Sequence, residues 1–365
     1  MSKEYVLEPD WLVTPGETIQ DFLDRLGMTQ SDLAERLGMS TKHVNELIRG
    51  KTSICLRTSV LLSRVLGGDS DYWLRLQQLY DREKIRLAED NQQYKYLLET
   101  PPVKELIRRN YLDYVEGRDM VDTGIDNLLR FFGTSSVEIL RSQYPINVSL
   151  RKSTKVQGDP LALLCWLRCC ELECEKIQCQ EYDAGKFTEA LREIRSMTSH
   201  LTKGFFARIQ EMCAACGVAV VAVKEFKNAA VNGAAAWRGK KAFIMMNLRG
   251  KCADVFWFSF FHEAGHILKG SKQHQHIEGW ASPKDYDSER YAYDIEEQKA
   301  NSFARDFLIP PRFQKVLSTL KSRQQIRAFA QELGIHPGIV VGRLQHDRCI
   351  RPNVFNDLRP RFCWG

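Results

Sequence analysis

At 365 residues, with 44% hydrophobic and 27% charged side chains, the chain has the composition of a soluble globular protein and the length for two or three domains with separate cores. Its longest apolar runs, Val218–Val223 and Val255–Phe261, fall short of the roughly 20 residues a membrane-spanning helix needs, and Met1-Ser2-Lys3-Glu4-Tyr5 lacks the basic-then-apolar layout of a secretory signal, so a cytoplasmic location is expected. The net charge of +6 is modest, which excludes a wholesale polycation and leaves any polyanion partner to one local face.

The stretch from Pro15 to Arg86 reads as five short helices. Pro15-Gly16 precedes an amphipathic segment, Thr18–Leu26, stopped by Gly27. Thr29 is an N-cap for Gln30–Leu37, closed by Gly38, and Ser40 caps Thr41–Ile48, closed by Gly50. Ser59–Leu66 and Asp71–Tyr80 complete the set. Two helices joined by Leu37-Gly38-Met39-Ser40 have a helix-turn-helix layout. Between residues 42 and 64, Lys42, Arg49, Lys51, Arg57 and Arg64 stand against Glu46 alone, a local basic surface suited to a polyanion.

Pro15-Gly16-Glu17, Met28–Gly38 and Val44–Lys51 resemble the Cro/C1-type (XRE) helix-turn-helix family and, within it, HigA-like antitoxins; Tyr72–Gln77 is similar to that family's fifth helix. The resemblance implies a DNA-binding domain over residues 1–90, acting on double-stranded operator DNA such as the chain's own promoter. A recognition helix presents its first residues to base edges in the major groove, where Thr41, Lys42 and Asn45 supply short polar and cationic groups. By family analogy Gln30, Arg49 and Lys51 hold backbone phosphates. Such modules read paired half-sites, so a homodimer is expected. The competing reading is a helix-turn-helix used only for dimerisation or partner binding.

Residues 91–202 look helical, with breaks at Pro101-Pro102, Gly133 and Gly158-Asp159-Pro160 and apolar repeats in Leu128–Gly133 and Ala162–Leu172. No catalytic signature falls here, and a helical connector is expected. Eleven cysteines is a high, odd count. Cys165, Cys169, Cys170, Cys174 and Cys179 cluster in this stretch, and Cys213-Ala214-Ala215-Cys216 is a lone C-x-x-C without a second pair. In a reducing cytosol they read as small buried apolar residues rather than redox sensors.

From Lys203 the character changes. Phe205–Cys216 reads as a helix ended by Gly217, and Val218–Val223 as a strand. Ala234–Trp237 and Ala242–Met246 flank a hairpin turn at Arg238-Gly239-Lys240-Lys241, and the second run is a candidate edge for β-addition of a substrate backbone. Asp254–Leu268 is a long apolar helix with Gly270 as its expected C-cap. It carries His262-Glu263-Ala264-Gly265-His266, an H-E-x-x-H pentad. Residues four apart share a helix face, so both imidazoles can reach one metal ion, with Glu263 as general base on a metal-activated water. A catalytic zinc needs a third protein ligand. His274, His276, Glu278, Asp294, Glu296 and Glu297 are nearby. The helix Tyr293–Leu308 has an apolar stripe of Ala300, Phe303, Ala304, Phe307 and Leu308, and both Glu296 and Glu297 fall at its edge. Periodicity does not choose between them.

Phe261–Leu268, followed by Glu297-Gln298-Lys299-Ala300-Asn301-Ser302-Phe303-Ala304 and Leu308-Ile309-Pro310, resembles the ImmA/IrrE metallopeptidase family. The resemblance spans residues 203–311. It implies an α+β zincin-like domain in which His262, His266 and Glu297 bind Zn2+, Glu263 is catalytic and Asn301 can orient Glu297. Residues 312–365 form a helical C-terminal region, in which Ile326–Ile335 and His336–Leu344 are similar to a second, degenerate helix-turn-helix. Packing against the peptidase domain is the expected role of that segment; a second DNA contact is the sharper alternative. The expected protein is multidomain: an all-α helix-turn-helix domain, a helical connector and an α+β metallopeptidase domain with a helical tail. Its expected function is transcriptional regulation coupled to zinc-dependent cleavage of a repressor or antitoxin-type partner, or of itself, with conditional activity. The alternatives are an antitoxin or autorepressor that binds DNA, a partner protein and zinc without turnover, and a nucleic-acid-gated sensor.

Overall fold

The computed structural model describes residues 13–88, 91–114, 120–143, 159–200, 204–229, 231–247, 252–269, 276–277 and 288–362. Met1–Tyr5, the break at Gly158, Lys203 and the expected helix end at Gly270 lie outside them. Contacts divide the chain after Lys95 into two compact units.

The first unit contains α1 (Pro15–Leu26), α2 (Gln30–Leu37), α3 (Thr41–Ile48), α4 (Leu56–Leu66) and α5 (Ser70–Ala88). The first three begin on side-chain caps: Thr14, Thr29 and Ser40 accept the N–H groups of Glu17, Asp32 and His43. Asp32 returns a bond to the Thr29 N–H, completing a capping box. Helices α1 and α2 end on Gly27 and Gly38 in the left-handed region. Helix α4 starts at Leu56, three residues before the expected Ser59. Ser59 is buried and its hydroxyl donates to the Leu56 carbonyl at 2.8 Å, so it stabilises the first turn from inside. Ile19, Leu23, Leu33, Leu47, Leu62 and Trp73 share the core. A Cβ on Gly16 would stand 1.9 Å from the Ile48 carbonyl oxygen, so α1 and α3 approach this closely only because position 16 is glycine.

The second unit runs through α6 (Lys95–Glu99), α7 (Pro101–Arg108), α8 (Val121–Phe132), α9 (Val137–Gln143), α10 (Pro160–Lys176), α11 (Ala184–Met197) and α12 (Phe205–Ala214). There follow β1 (Val218–Ala222), β2 (Gly233–Arg238), β3 (Lys241–Met246), α13 (Ala253–Leu268), β4 (His276–Ile277), α14 (Ser288–Leu308), α15 (Gln314–Thr319), α16 (Arg323–Leu333) and α17 (Pro337–His346). The expected connector does not stand apart from the sheet. Helix α10 packs on β1 and β3, the Trp166 indole N–H donates to the Val223 carbonyl at 3.0 Å, and Lys241 Nζ donates to the Cys174 carbonyl at 2.7 Å. Cys165, Cys169, Cys170 and Cys174 are buried in that packing, and burial pushes the Cys169 thiol up to about 12. Thiols held neutral this way act as small apolar residues.

The sheet order is β1-β3-β2-β4. Strand β1 is parallel to β3, β2 is antiparallel to β3 across the Gly239 turn, and β4 pairs antiparallel with β2. Strand β3 is therefore central. The expectation that Ala242–Met246 offers a free edge to substrate is corrected, because both of its edges are already paired. Helix α13 packs against β2, β3, α14 and α17. Phe256, Trp257, Phe260, Phe261 and Ile267 bury it on all sides, which is why its sequence reads as a nearly unbroken apolar run. Helix α17 places Val340, Val341 and Leu344 in the same core, the packing role expected for the C-terminal segment. No helix among the described residues is long and apolar enough to cross a membrane.

Candidate metal centre and nucleic-acid interface

Helical spacing puts His262 and His266 on one face of α13, with centroids 4.8 Å apart and Nε2 atoms 3.1 Å apart. Helix α14 supplies the third group: Glu297 Oε2 lies 3.3 Å from His262 Nε2, and Oε1 lies 3.1 Å from His266 Nε2. Among the described residues these form the one cluster of three ligand-capable side chains, with donor atoms within 4.8 Å of one another. Glu297, not Glu296, is thus the carboxylate that meets both imidazoles. His274 and Glu278 lie outside the described residues, as do the side chains of His276 and Asp294.

The spacing fits a small divalent cation. Zinc bonds of about 2.0–2.2 Å in tetrahedral geometry separate ligand atoms by roughly 3.3–3.6 Å, and the two Nε2 atoms and one Glu297 oxygen lie within 4.8 Å of one another. Asn301, one turn after Glu297, has Oδ1 3.0 Å from His262 Nδ1. An Nδ1–H donated to that oxygen leaves the Nε2 lone pair directed at the cluster, the tautomer a metal ligand needs. Asn301 therefore orients His262 rather than Glu297. Burial alone would raise the Glu297 pKa, but the contacts of its two oxygens with His262 and His266 outweigh it and hold the carboxyl at about 2.

Two glycines make the approach possible. A Cβ on Gly265 would meet Phe303 Cδ1 at 3.0 Å and Ala300 Cα at 3.4 Å, so glycine in the pentad and alanine on α14 let the two helices touch. Glu263 is fully buried and its side chain lies over Gly233 at the head of β2, where a Cβ would stand 2.9 Å from Oε1 and 3.1 Å from Cγ. Sequence reasoning missed Gly233. Asn232-Gly233 signals only a turn before a strand, and the contact with Glu263 exists only once the sheet has formed.

In the first unit, Thr41, Lys42, Arg49 and Lys51 are exposed around α3, while Gln30 and Asn45 are half-buried. Lys42 Nζ sits 4.0 Å from Glu46 with its side chain 86% exposed, a pairing too weak to withhold it from a ligand. Asn45 Nδ2 donates to Gln30 Oε1 at 3.1 Å, Gln30 Nε2 donates to Gln20 Oε1 at 3.1 Å, and Gln20 Nε2 donates to Asp24 Oδ1 at 2.7 Å. This ladder links the expected base-edge residue Asn45 to the expected phosphate residue Gln30. Gln20, an ordinary polar position on α1, carried no signal of that role.

Residues 19–73 match the family model named helix-turn-helix (HTH_3). The virulence-associated protein I of Dichelobacter nodosus is 33% identical over 82 residues, which span 22% of this chain and 73% of that protein. Among solved structures, an antidote protein of a plasmid maintenance system from Nostoc punctiforme is 32% identical, covering 24% of this chain and 93% of that one, with a TM-score of 0.22.

Proposed function

Because the chain belongs, through its N-terminal domain, to the helix-turn-helix family, we propose that it is a DNA-binding regulator whose second unit is a zinc-dependent endopeptidase. The observation that carries the enzymatic half is the meeting of His262, His266 and Glu297 beside the buried Glu263. When bound, zinc would polarise the scissile carbonyl and acidify a water molecule. Glu263 accepts a proton from the attacking water as the new carbon–oxygen bond forms, and returns it to the amine nitrogen as the carbon–nitrogen bond breaks. Gly233 leaves the space in which that carboxylate sits, and Asn301 holds the His262 ring in register.

For the first unit we propose that Thr41, Lys42 and Asn45 meet base edges while Gln30, Arg49 and Lys51 hold phosphates, in a homodimer on paired half-sites of double-stranded operator DNA, the chain's own promoter included. The substrate is a repressor- or antitoxin-type partner, or the chain itself. The cytoplasm is the compartment in which DNA and such a partner are both met.

Mapping of newly formed protein N-termini in cells expressing the full chain tests the reading. Termini made by the wild type and absent with Glu263→Gln, with zinc retained in both, are the expected result. Identical sets of termini, with promoter binding intact, would leave a DNA- and partner-binding protein without turnover.

A further inference from the structure

The two faces that build the metal centre continue past it. On α13, His262 is preceded at helical spacing by Phe258-Ser259 and then Asp254-Val255; on α14, Glu297 and Asn301 are followed by Arg305 and Leu308. These earlier and later turns line a cavity of about 710 Å³. Phe258 and Asn301 belong to both places: the Phe258 ring is centred 6.3 Å from the His262 ring, and Asn301 is within hydrogen-bond distance of its Nδ1. The far wall is α17, through Ile339, Gly342 and Arg343. A Cβ on Gly342 would fall 2.4 Å from Asp254 Oδ2, so the C-terminal helix lies directly against α13.

The charges around this cavity neutralise one another. Arg359 donates to Asp254 from Nε at 3.0 Å, Arg343 to Asp347 at 2.6 Å, and Arg305 to Asp306 at 2.7 Å. What remains is an apolar surface made by Val255, Phe258, Leu308, Ile309 and Ile339. Asp254, 8% exposed, is fixed in this wall by the Arg359 guanidinium, whose Nη2 lies 2.8 Å from its Oδ2. Apolar walls with a few fixed polar groups are the usual design of a specificity pocket, and the volume suits a short segment of chain rather than one atom group.

We propose that this cavity receives the substrate on one side of the scissile bond, taking a large apolar side chain, and that α17 is its specificity-determining wall. The C-terminal helix-turn-helix-like pair would then serve substrate selection instead of DNA contact. The proposal rests on the peptidase reading. Discrimination of apolar side chains by such pockets runs from about 10- to 200-fold.

The test uses the zinc-loaded full chain and two zinc-chelating probes, acetohydroxamate and 3-phenylpropionohydroxamate, with affinities measured by calorimetry so that no turnover is required. The phenyl probe should bind tenfold or more tighter to wild type. Val255→Trp, at a half-buried wall position, should erase that preference, and so should Arg305→Trp at the exposed rim should the first variant fold poorly. Val316→Trp, on exposed α15, should leave it intact. Equal affinities in wild type, or a preference that survives both filling variants, would overturn the pocket while leaving the metal centre standing. A chain that takes up no zinc and binds neither probe ends the peptidase reading, and the pocket with it.

Discussion

The two candidate sites are built by opposite strategies. Around α3 the groups proposed to touch DNA are mostly exposed, lie within 22 residues of one another, and are placed by caps that can be read locally: Thr29 with Asp32, Ser40, Gly38. The candidate metal centre has buried histidines and a half-buried glutamate, joins residues 35 apart on two helices, and depends on glycine and alanine at the crossing. A site of the first kind loses function one contact at a time. A site of the second kind loses it all at once, because each group holds the next.

The metal ligands should therefore show the largest effect. His262→Ala or Glu297→Ala removes one of three convergent donors, and zinc content of the purified chain should fall from one per chain to a small fraction, with affinity reduced at least about 100-fold. Helix-turn-helix stability should be unchanged, read as the thermal transition of the first unit. Retention of stoichiometric zinc by either variant would show that the cluster is not the site. Gly233→Ala comes next. It should keep zinc but displace the Glu263 carboxylate, and cleavage should drop by roughly 100-fold, as expected when a reacting group moves by about 1 Å. Full activity would mean that Glu263 has room elsewhere.

In the first unit the same crossing logic applies once, at Gly16. Gly16→Ala should destabilise that unit by about 2–3 kcal/mol, since overpacking against the Ile48 carbonyl forces α1 and α3 apart. The remaining contacts are graded. Asn45→Ala should weaken operator binding by about 1–3 kcal/mol and relax base preference, while Lys51→Ala should weaken all sequences alike and lower the salt slope by about 1. A Lys51→Ala variant that alters sequence preference would reverse the assignment of the two roles.

The contrast also governs what could be read from the chain before its structure. The caps, glycine stops and helix pair of the first unit follow from residues three or four apart, but three boundaries differ: α1 starts at Pro15 rather than Thr18, α5 runs on to Ala88 rather than Tyr80, and α4 starts at Leu56 because Ser59 bonds back to that residue from inside the helix. The pentad was equally legible. Periodicity did not choose Glu297 over Glu296, since both lie at the edge of one stripe; the motif resemblance pointed to Glu297, and the packing of α14 on Gly265 brings that residue to the two imidazoles. The central place of β3, the seat of Glu263 on Gly233 and the wall formed by α17 are all long-range, and no local pattern encodes them. Nor does helical periodicity reveal that α10 belongs to the sheet, because an apolar helix face does not state its partner.

The smallest expected effect isolates a single local device. The Thr29 hydroxyl and backbone N–H both donate to Asp32 and hold its carboxyl below the ordinary value of 3.8, the hydroxyl contributing most. A carboxyl depressed in the folded state stabilises above its unfolded pKa; as pH falls through the folded value, protonation removes that stabilisation. The first unit should lose a little stability as pH drops below about 4, and Asp32→Asn should flatten that part of the dependence. Asp32 is exposed, so the change is best followed by titrating its carboxyl resonance directly. Thr29→Ala should return the titration toward 3.8 and leave zinc binding untouched. A titration that does not move would mean that the capping box contributes nothing beyond geometry, and that the local design of this unit rests on its glycine stops and core instead.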